Sequence, residues 1–261
     1  MSTLVCFHAH PDDEAMTTAG TMALAADAGH RVVLVVATRG EEGEVAPGVL
    51  GDGVELGDHR SDEVLAAAAA IGIHRVEFLG YRDSGMAGED TNAHPECFAA
   101  ADVEQAAMRL AAILREEAAD VITVYDEHGG YGHPDHIQVH RVGIRAAELA
   151  EVGTVYEATI DRDHLIALMR ARPDDLGDDS PLPEDPDDLN LGVPGHLITT
   201  RVDVTSVIER KRAAMRAHGS QIPEDSFFLR MPEDAYAMAF GTEWFTRRGA
   251  APGIAETALP L

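Results

Sequence analysis

Two short clusters of histidine and aspartate stand far apart in this chain: His8-Ala9-His10-Pro11-Asp12-Asp13-Glu14 near the start, and His133-Pro134-Asp135-His136 near the middle. Two His-Pro-Asp cores in one sequence point to a metal site. The first offers an imidazole and a carboxylate three residues apart, and the second offers another imidazole. Two histidines and one aspartate that leave a coordination position open suit a catalytic zinc. Asp12 and His133 then remain free for proton chemistry. The plainer reading is that Asp12 or Asp13 caps the helix that follows. A cap accounts for one aspartate, but not for the same core repeated at both places.

Elements that could bring the clusters together follow from the hydrophobic pattern. Leu4–Phe7 is a short apolar run, Ala15–Ala28 has a helical pattern, and Gly29-His30 ends it. Arg31–Thr38 is β-branched and too uniformly apolar to be half-exposed, as in a central parallel strand. A helix over Asp62–Ile71, a strand over Val76–Leu79, a helix over Val103–Ala118, a strand over Val121–Tyr125 and a helix over Ile137–Ala150 follow. Strands alternating with helices imply right-handed βαβ crossovers and an α/β fold, a Rossmann-like, mostly parallel sheet sandwiched by helices. Ligands of such sheets collect beyond the carboxyl ends of the strands. Both clusters fall there, as do the loop Gly40-Glu41-Glu42-Gly43-Glu44 and the turn Arg82-Asp83-Ser84-Gly85, so four loops converge on one pocket.

Composition sets the partners. With 261 residues the chain can bury a large core, and its 45% hydrophobic content is that of a globular protein. A net charge of −26 with Lys nearly absent excludes a nucleic-acid surface. No apolar run is long enough to span a membrane and Met1-Ser2-Thr3 leads straight into the first strand, so the expected location is cytoplasmic. Cys6 and Cys97 read as ordinary thiols. Acidic residues concentrate between 173 and 193, which reads as a surface loop.

Taken together, Ala9–Glu14, Arg82-Asp83-Ser84-Gly85-Met86 and Gly129–His136 resemble the LmbE-like, PIG-L family of zinc-dependent deacetylases. Within it they are most similar to the mycothiol-pathway deacetylase and S-conjugate amidase. The likeness is strong from Thr3 to Ala150 and looser beyond. It implies one domain over 1–261: a core metal-binding part, 1–150, and a smaller C-terminal α+β part, 151–261, that completes the pocket. It also implies His10, Asp13 and His136 as ligands of one Zn²⁺, with Fe²⁺ the alternative ion. Asp12 corresponds to the general base, and His133 to the group that steadies the oxyanion or protonates the leaving amine. Asp135 would orient the His133 imidazole, Tyr131 would touch the carbonyl oxygen, and Arg60 and Asp83 would hold sugar hydroxyls. The implied reaction removes an acyl group, foremost acetyl, from an amino sugar or its glycoside. The partner is then a small amino-sugar or thiol-conjugate molecule, with a homo-oligomer left open.

Several residues have plainer explanations. Arg60 could pair with Glu63 one helical turn on, and Asp83 could stabilise its own turn before Ser84-Gly85. His136 and His140 have helical spacing, but Ile137 stands where a zinc-helix glutamate belongs. His140 therefore reads as structural, and His8 as a hydrogen-bonded wall residue. Glu14 suits a helix N-terminus or a contact to a ligand. Glu41, Glu42 and Glu44 read as solvated loop charges, with a contact from one of them to substrate or to a residue behind the ligands as the alternative. A metallophosphoesterase would need more carboxylate and Asn ligands than these motifs supply. A non-catalytic binding protein would have lost Asp12 or His133. Hydride transfer lacks its Gly-x-Gly-x-x-Gly turn. Near the C-terminus a strand over Ile198–Asp203 and a helix over Val207–Ala217 lead to His218-Gly219-Ser220-Gln221, a corner expected to close the pocket.

Overall fold

The computed structural model describes residues 1–45, 48–171, 183 and 185–261. Seven strands join in one sheet: β1 (Thr3–His8), β2 (Arg31–Val36), β3 (Arg75–Phe78), β4 (Val121–Tyr125), β5 (Thr154–Thr159), β6 (Thr200–Asp203) and β7 (Thr242–Arg247). Their order is β3-β2-β1-β4-β5-β7-β6. The five strands from β3 to β5 are parallel, and β7 and β6 extend the sheet antiparallel.

Nine helices accompany them: α1 (Asp13–Thr17), α2 (Ala19–Asp27), α3 (Leu56–Ile71), α4 (Val103–Glu116), α5 (Gly129–Gly132), α6 (Pro134–Ala150), α7 (Arg162–Ala171), α8 (Ile208–Ala217) and α9 (Glu233–Phe240), counted among the described residues. Alternation along β1 divides the core. Leu4 and Cys6 face Met22, Ala67, Ile71 and Met215 of α2, α3 and α8, whereas Val5 and Phe7 face Leu110, Ala111, Val139 and Val142 of α4 and α6. Burial on both faces is what the uniformly apolar β2 requires.

From β1 the chain winds outward through β2 to β3 on one side, and the crossover from β3 then returns to place β4 on the other side of β1. The sheet therefore has its switch point between the two strands that carry the histidine clusters, where a crevice opens beyond their carboxyl ends.

Two features depart from the sequence expectation. The helix expected over Ala15–Ala28 is two helices broken at Thr18, whose φ is −136°. Thr18 Oγ1 lies 2.8 Å from His8 Nε2, and α2 restarts with the N–H groups of Gly20 and Thr21 each donating to the Glu243 carboxylate at 2.8 Å. Strands β5 and β7 and helices α7 and α9, absent from the sequence reading, are also present. Of the acidic stretch 173–193, residues 173–182 and 184 lie outside the described residues. The described part ends with Gly192 N–H donating to Gly130 O at 3.0 Å. No helix among the described residues is long and apolar enough to cross a membrane.

Candidate active site

From the end of β1 the chain passes through Ala9-His10-Pro11 into α1; from the end of β4 it turns through α5 into α6. Gly129 makes the second turn with φ +65°, and a Cβ there would meet His136 Cβ at 2.6 Å and Ile137 N at 2.8 Å. Pro134 opens α6 where no N–H is needed. His133 caps the helix: its Nδ1 accepts the Asp135 N–H at 3.1 Å. That bond leaves the proton of the neutral ring on Nε2.

The three buried imidazoles of His10, His133 and His136 have ring nitrogens within 4.8 Å of one another. Asp13 spans two of them, with Oδ2 3.5 Å from His10 Nδ1 and Oδ1 3.2 Å from His136 Nε2. The other nitrogen of His10, Nε2, donates to Asp135 Oδ2 at 3.1 Å and lies 3.4 Å from Asp83 Oδ1. A ring held this way at Nε2 presents its lone pair at Nδ1, towards Asp13. Burial opposes charge on both partners. Even so, His136 and His10 hold the Asp13 carboxyl well below the usual carboxylate range, while Asp13, Asp135 and Asp83 lift His10 well above the usual imidazole range. His10 Nδ1, His136 Nε2 and the Asp13 carboxylate between them thus offer two imidazole nitrogens and one anionic oxygen donor to a common point. The donor set fits a divalent metal: His10, His133 and His136 form one group that could hold it and His10, Asp83 and Asp135 another, with Asp13 bridging His10 and His136. His133, with its Nδ1 engaged and a proton at Nε2, is fitted to donate.

Asp12 stands beside this group. Its carboxylate keeps 23% of its surface open and lies 3.3 Å from Arg60 Nη2. Burial pushes its pKa up to about 6, against the lowering pull of Arg60 and with repulsion from Asp13. Arg60 is buried beneath it, donating through Nη1 to Gly40 O at 2.7 Å and through Nη2 to Pro11 O at 2.5 Å. Gly40, at φ +68°, admits the guanidinium because a Cβ there would lie 2.2 Å from Arg60 Nη1. Burial lowers His133 to about 4, helped by His10 and His136. Tyr131, half-exposed at the rim, places its Oη 3.5 Å from His136 Nε2, and burial and then Asp13 raise its phenol.

Residues 5–147 match the model of the PIG-L family, described as GlcNAc-PI de-N-acetylase. A protein of Thermobifida fusca named 1D-myo-inositol 2-acetamido-2-deoxy-alpha-D-glucopyranoside deacetylase is 44% identical over 241 residues, covering 84% of this chain and 83% of that one. The chain belongs to the PIG-L family. A protein of the same name from Acidothermus cellulolyticus is 41% identical over 258 residues, covering 93% and 87%. The chain is thus an amide hydrolase. The fold is shared with N,N'-diacetylchitobiose deacetylase from Pyrococcus horikoshii, at a TM-score of 0.60, 20% identity and coverage of 94% and 83%. It is shared as well with the zinc-inhibited form of teicoplanin deacetylase Orf2, at a TM-score of 0.61, 17% identity and coverage of 96% and 100%.

Against the roles that the PIG-L resemblance implies, two residues sit differently. The Asp135 carboxylate does not orient His133; it accepts from His10 Nε2–H, from Ser84 N–H at 3.0 Å and from Ser84 Oγ–H. Only the backbone N–H of Asp135 meets His133, because capping α6 turns that imidazole back on the helix. Arg60 is only 3% exposed, its Nη groups committed to two carbonyls and Asp12 rather than open to a sugar, and Glu63 faces His59 and Ser220 instead. Asp83 makes the turn bond, accepting Gly85 N–H at 2.9 Å, and also accepts Glu42 N–H at 3.3 Å.

Sequence reasoning missed other PIG-L site neighbours. Glu41 accepts Asp83 N–H at 3.0 Å and Glu42 pairs with Arg82 at 2.6 Å, so these are not solvated loop charges. Tyr125 stacks on His136 at 4.5 Å and 17°, with its Oη 2.7 Å from His8 Nδ1. Its place as the last residue of β4 was the available signal. His8 is a hydrogen-bonded wall residue, and His140 Nδ1 lies 2.9 Å from Tyr125 O.

Proposed function

We propose that the protein is a zinc-dependent N-deacetylase of an amino-sugar glycoside, with an inositol N-acetylglucosaminide as its substrate. The observation that carries this is Asp13 spanning His10 and His136 beside a free carboxylate, Asp12, poised near neutrality. The relatives' shared name supports the substrate. Residues 1–261 form one catalytic domain in which 151–261 closes the pocket.

His10, Asp13 and His136 would hold the zinc, which would supply Lewis acidity at the acetamide. Asp12 takes one proton from that water as its oxygen bonds to the carbonyl carbon. His133, neutral and carrying its proton at Nε2, donates to the developing oxyanion, and Tyr131 Oη–H offers a second donor. The proton held by Asp12 passes to the amine nitrogen as the C–N bond breaks, and the second proton of the water leaves the new carboxyl group for the same amine, giving acetate and the ammonium form of the amino sugar. Arg60 fixes Asp12 from below, and Asp83 with Glu42 shapes the wall where the sugar lies.

The test is acetate release by zinc-loaded protein from N-acetylglucosaminyl-inositol, with a mycothiol S-conjugate as the second substrate and metal stoichiometry measured alongside. One zinc per chain, turnover of the glycoside and loss of turnover in Asp12→Asn are expected. Two metals per chain with phosphoester cleavage, or an unchanged rate in Asp12→Asn, would overturn the proposal.

A further inference from the structure

We propose that His218 is a positioning residue for Asp12, acting through Glu14; this rests on the reading of Asp12 as the base. Asp12 has φ +110° and ψ −27°, a conformation that L side chains rarely adopt and that persists only where neighbours impose it. Its N–H donates to Glu14 Oε2 at 3.0 Å, a bond that fixes the direction in which the Asp12 side chain leaves the backbone. The other oxygen of Glu14 lies 2.6 Å from His218 Nε2, and both of these side chains are fully buried. His218 Nδ1 has no hydrogen-bond partner among the described residues, so the single bond of this ring is the one to Glu14.

The corner carrying His218 is itself clamped to the core. Ser220 donates through both its N–H and its Oγ–H to Glu63 of α3, each at 2.7 Å, and Ile222 N–H donates back to His218 O at 2.7 Å. Glu14 and His218 lie 204 residues apart in the chain, so the C-terminal part reaches the residue that holds Asp12 through a buried pair. Without His218 the Glu14 carboxylate would be left buried with one oxygen unpartnered. It would then turn towards whatever donor or water it could find, and Asp12 would lose the acceptor that holds its backbone.

The experiment uses the full-length, zinc-loaded protein and the variants His218→Leu and His218→Gln, each in the wild-type and the Asp12→Asn backgrounds. His218→Leu is expected to lower kcat by about 10–100-fold, as loss of a buried supporting partner does, with metal content unchanged and KM little altered. His218→Gln, which keeps an N–H donor for Glu14, recovers most of that loss. In the Asp12→Asn background His218→Leu adds no further loss, because the group it positions is gone. An activity-independent readout is amide hydrogen exchange at Asp12, expected to quicken at least about tenfold in His218→Leu while amides of β2 keep their protection. The same multiplicative loss in both backgrounds, or unchanged exchange at Asp12, would overturn the proposal. If the wild-type protein released no acetate, the assigned reaction would fail, while the exchange experiment would still decide the role of His218. Should His218→Leu not fold, His218→Met, which likewise offers Glu14 no donor, carries the same comparisons.

Discussion

Replacing Asp135 by Asn separates the two tasks that a buried carboxylate could perform here. The side chain is inaccessible and accepts from three donors: His10 Nε2–H, Ser84 N–H and Ser84 Oγ–H. An amide oxygen in the place of Oδ2 keeps the first two. The new NH₂ then faces Ser84 Oγ, which already accepts Ala99 N–H at 2.9 Å and has a lone pair to spare, although the Ser84 hydroxyl proton loses its acceptor. Shape is therefore preserved, and what disappears is charge and one hydrogen bond. A bond to a charged acceptor contributes about 1.5–3 kcal/mol and a neutral one about 0.5–1.5, so the His10 bond weakens by about 1–2 kcal/mol. At about 1.4 kcal/mol per decade this lowers zinc affinity about 5–30-fold, through a less basic Nδ1 on His10.

Zinc affinity measured by competition with a fluorescent chelator checks this, with thermal unfolding of the metal-free protein as the control for folding. At saturating zinc, Asp135→Asn should keep kcat within about tenfold of wild type, because the carboxylate makes no contact with His133. Asp135→Ala should be far worse, since it strands three buried donors at about 1–3 kcal/mol each. Affinity equal to wild type in Asp135→Asn would refute the reasoning. So would a large kcat loss at full metal occupancy, which would restore the role of orienting His133.

Asp12 acts as a base only when ionised, and burial lifts it to about 6. The pH profile of kcat/KM should therefore fall as pH drops through about 6. Arg60→Met, which removes the cation that holds the carboxyl down, should move that limb to higher pH; an unmoved limb would exclude Asp12 as its origin. Gly40→Ala should destabilise the protein and lower kcat together, since its Cβ would overlap Arg60 Nη1 at φ +68°, and urea unfolding with steady-state kinetics reads both. Lys211, the only lysine in the sequence, is buried against Glu243, the carboxylate that caps α2. Lys211→Met should cost about 3–5 kcal/mol by leaving that charge unpaired, measured as a fall in unfolding free energy.

How far the sequence carries depends on whether a residue's partner is near it in the chain. The βαβ succession was legible because burial on two faces makes β2 apolar throughout and the crossovers short, and it placed both histidine clusters at one rim. The break at Thr18 was not legible, because the acceptor that starts α2 afresh is Glu243, 223 residues away. The site divides in the same way. Residue types at close spacing announced an imidazole and carboxylate set, since His10 and Asp13 are separated by a single turn. Which nitrogen of His10 faces Asp13 is decided by Asp135, 125 residues on. The sequence offers Arg60 a sugar hydroxyl or, one helical turn on, Glu63, yet Pro11 and Gly40 claim it, each reached across the fold. Local motifs thus settle which donor atoms exist, and distant contacts settle their protonation and aim. The fold alone settles less. The chain shares its architecture, at a TM-score of 0.57 and 20% identity, with GalB of Pseudomonas putida, a 4-carboxy-2-hydroxymuconate hydratase, over 99% of this chain and 100% of that one. A shared architecture therefore does not by itself assign a reaction, which rests on the side chains that the rim loops bring together.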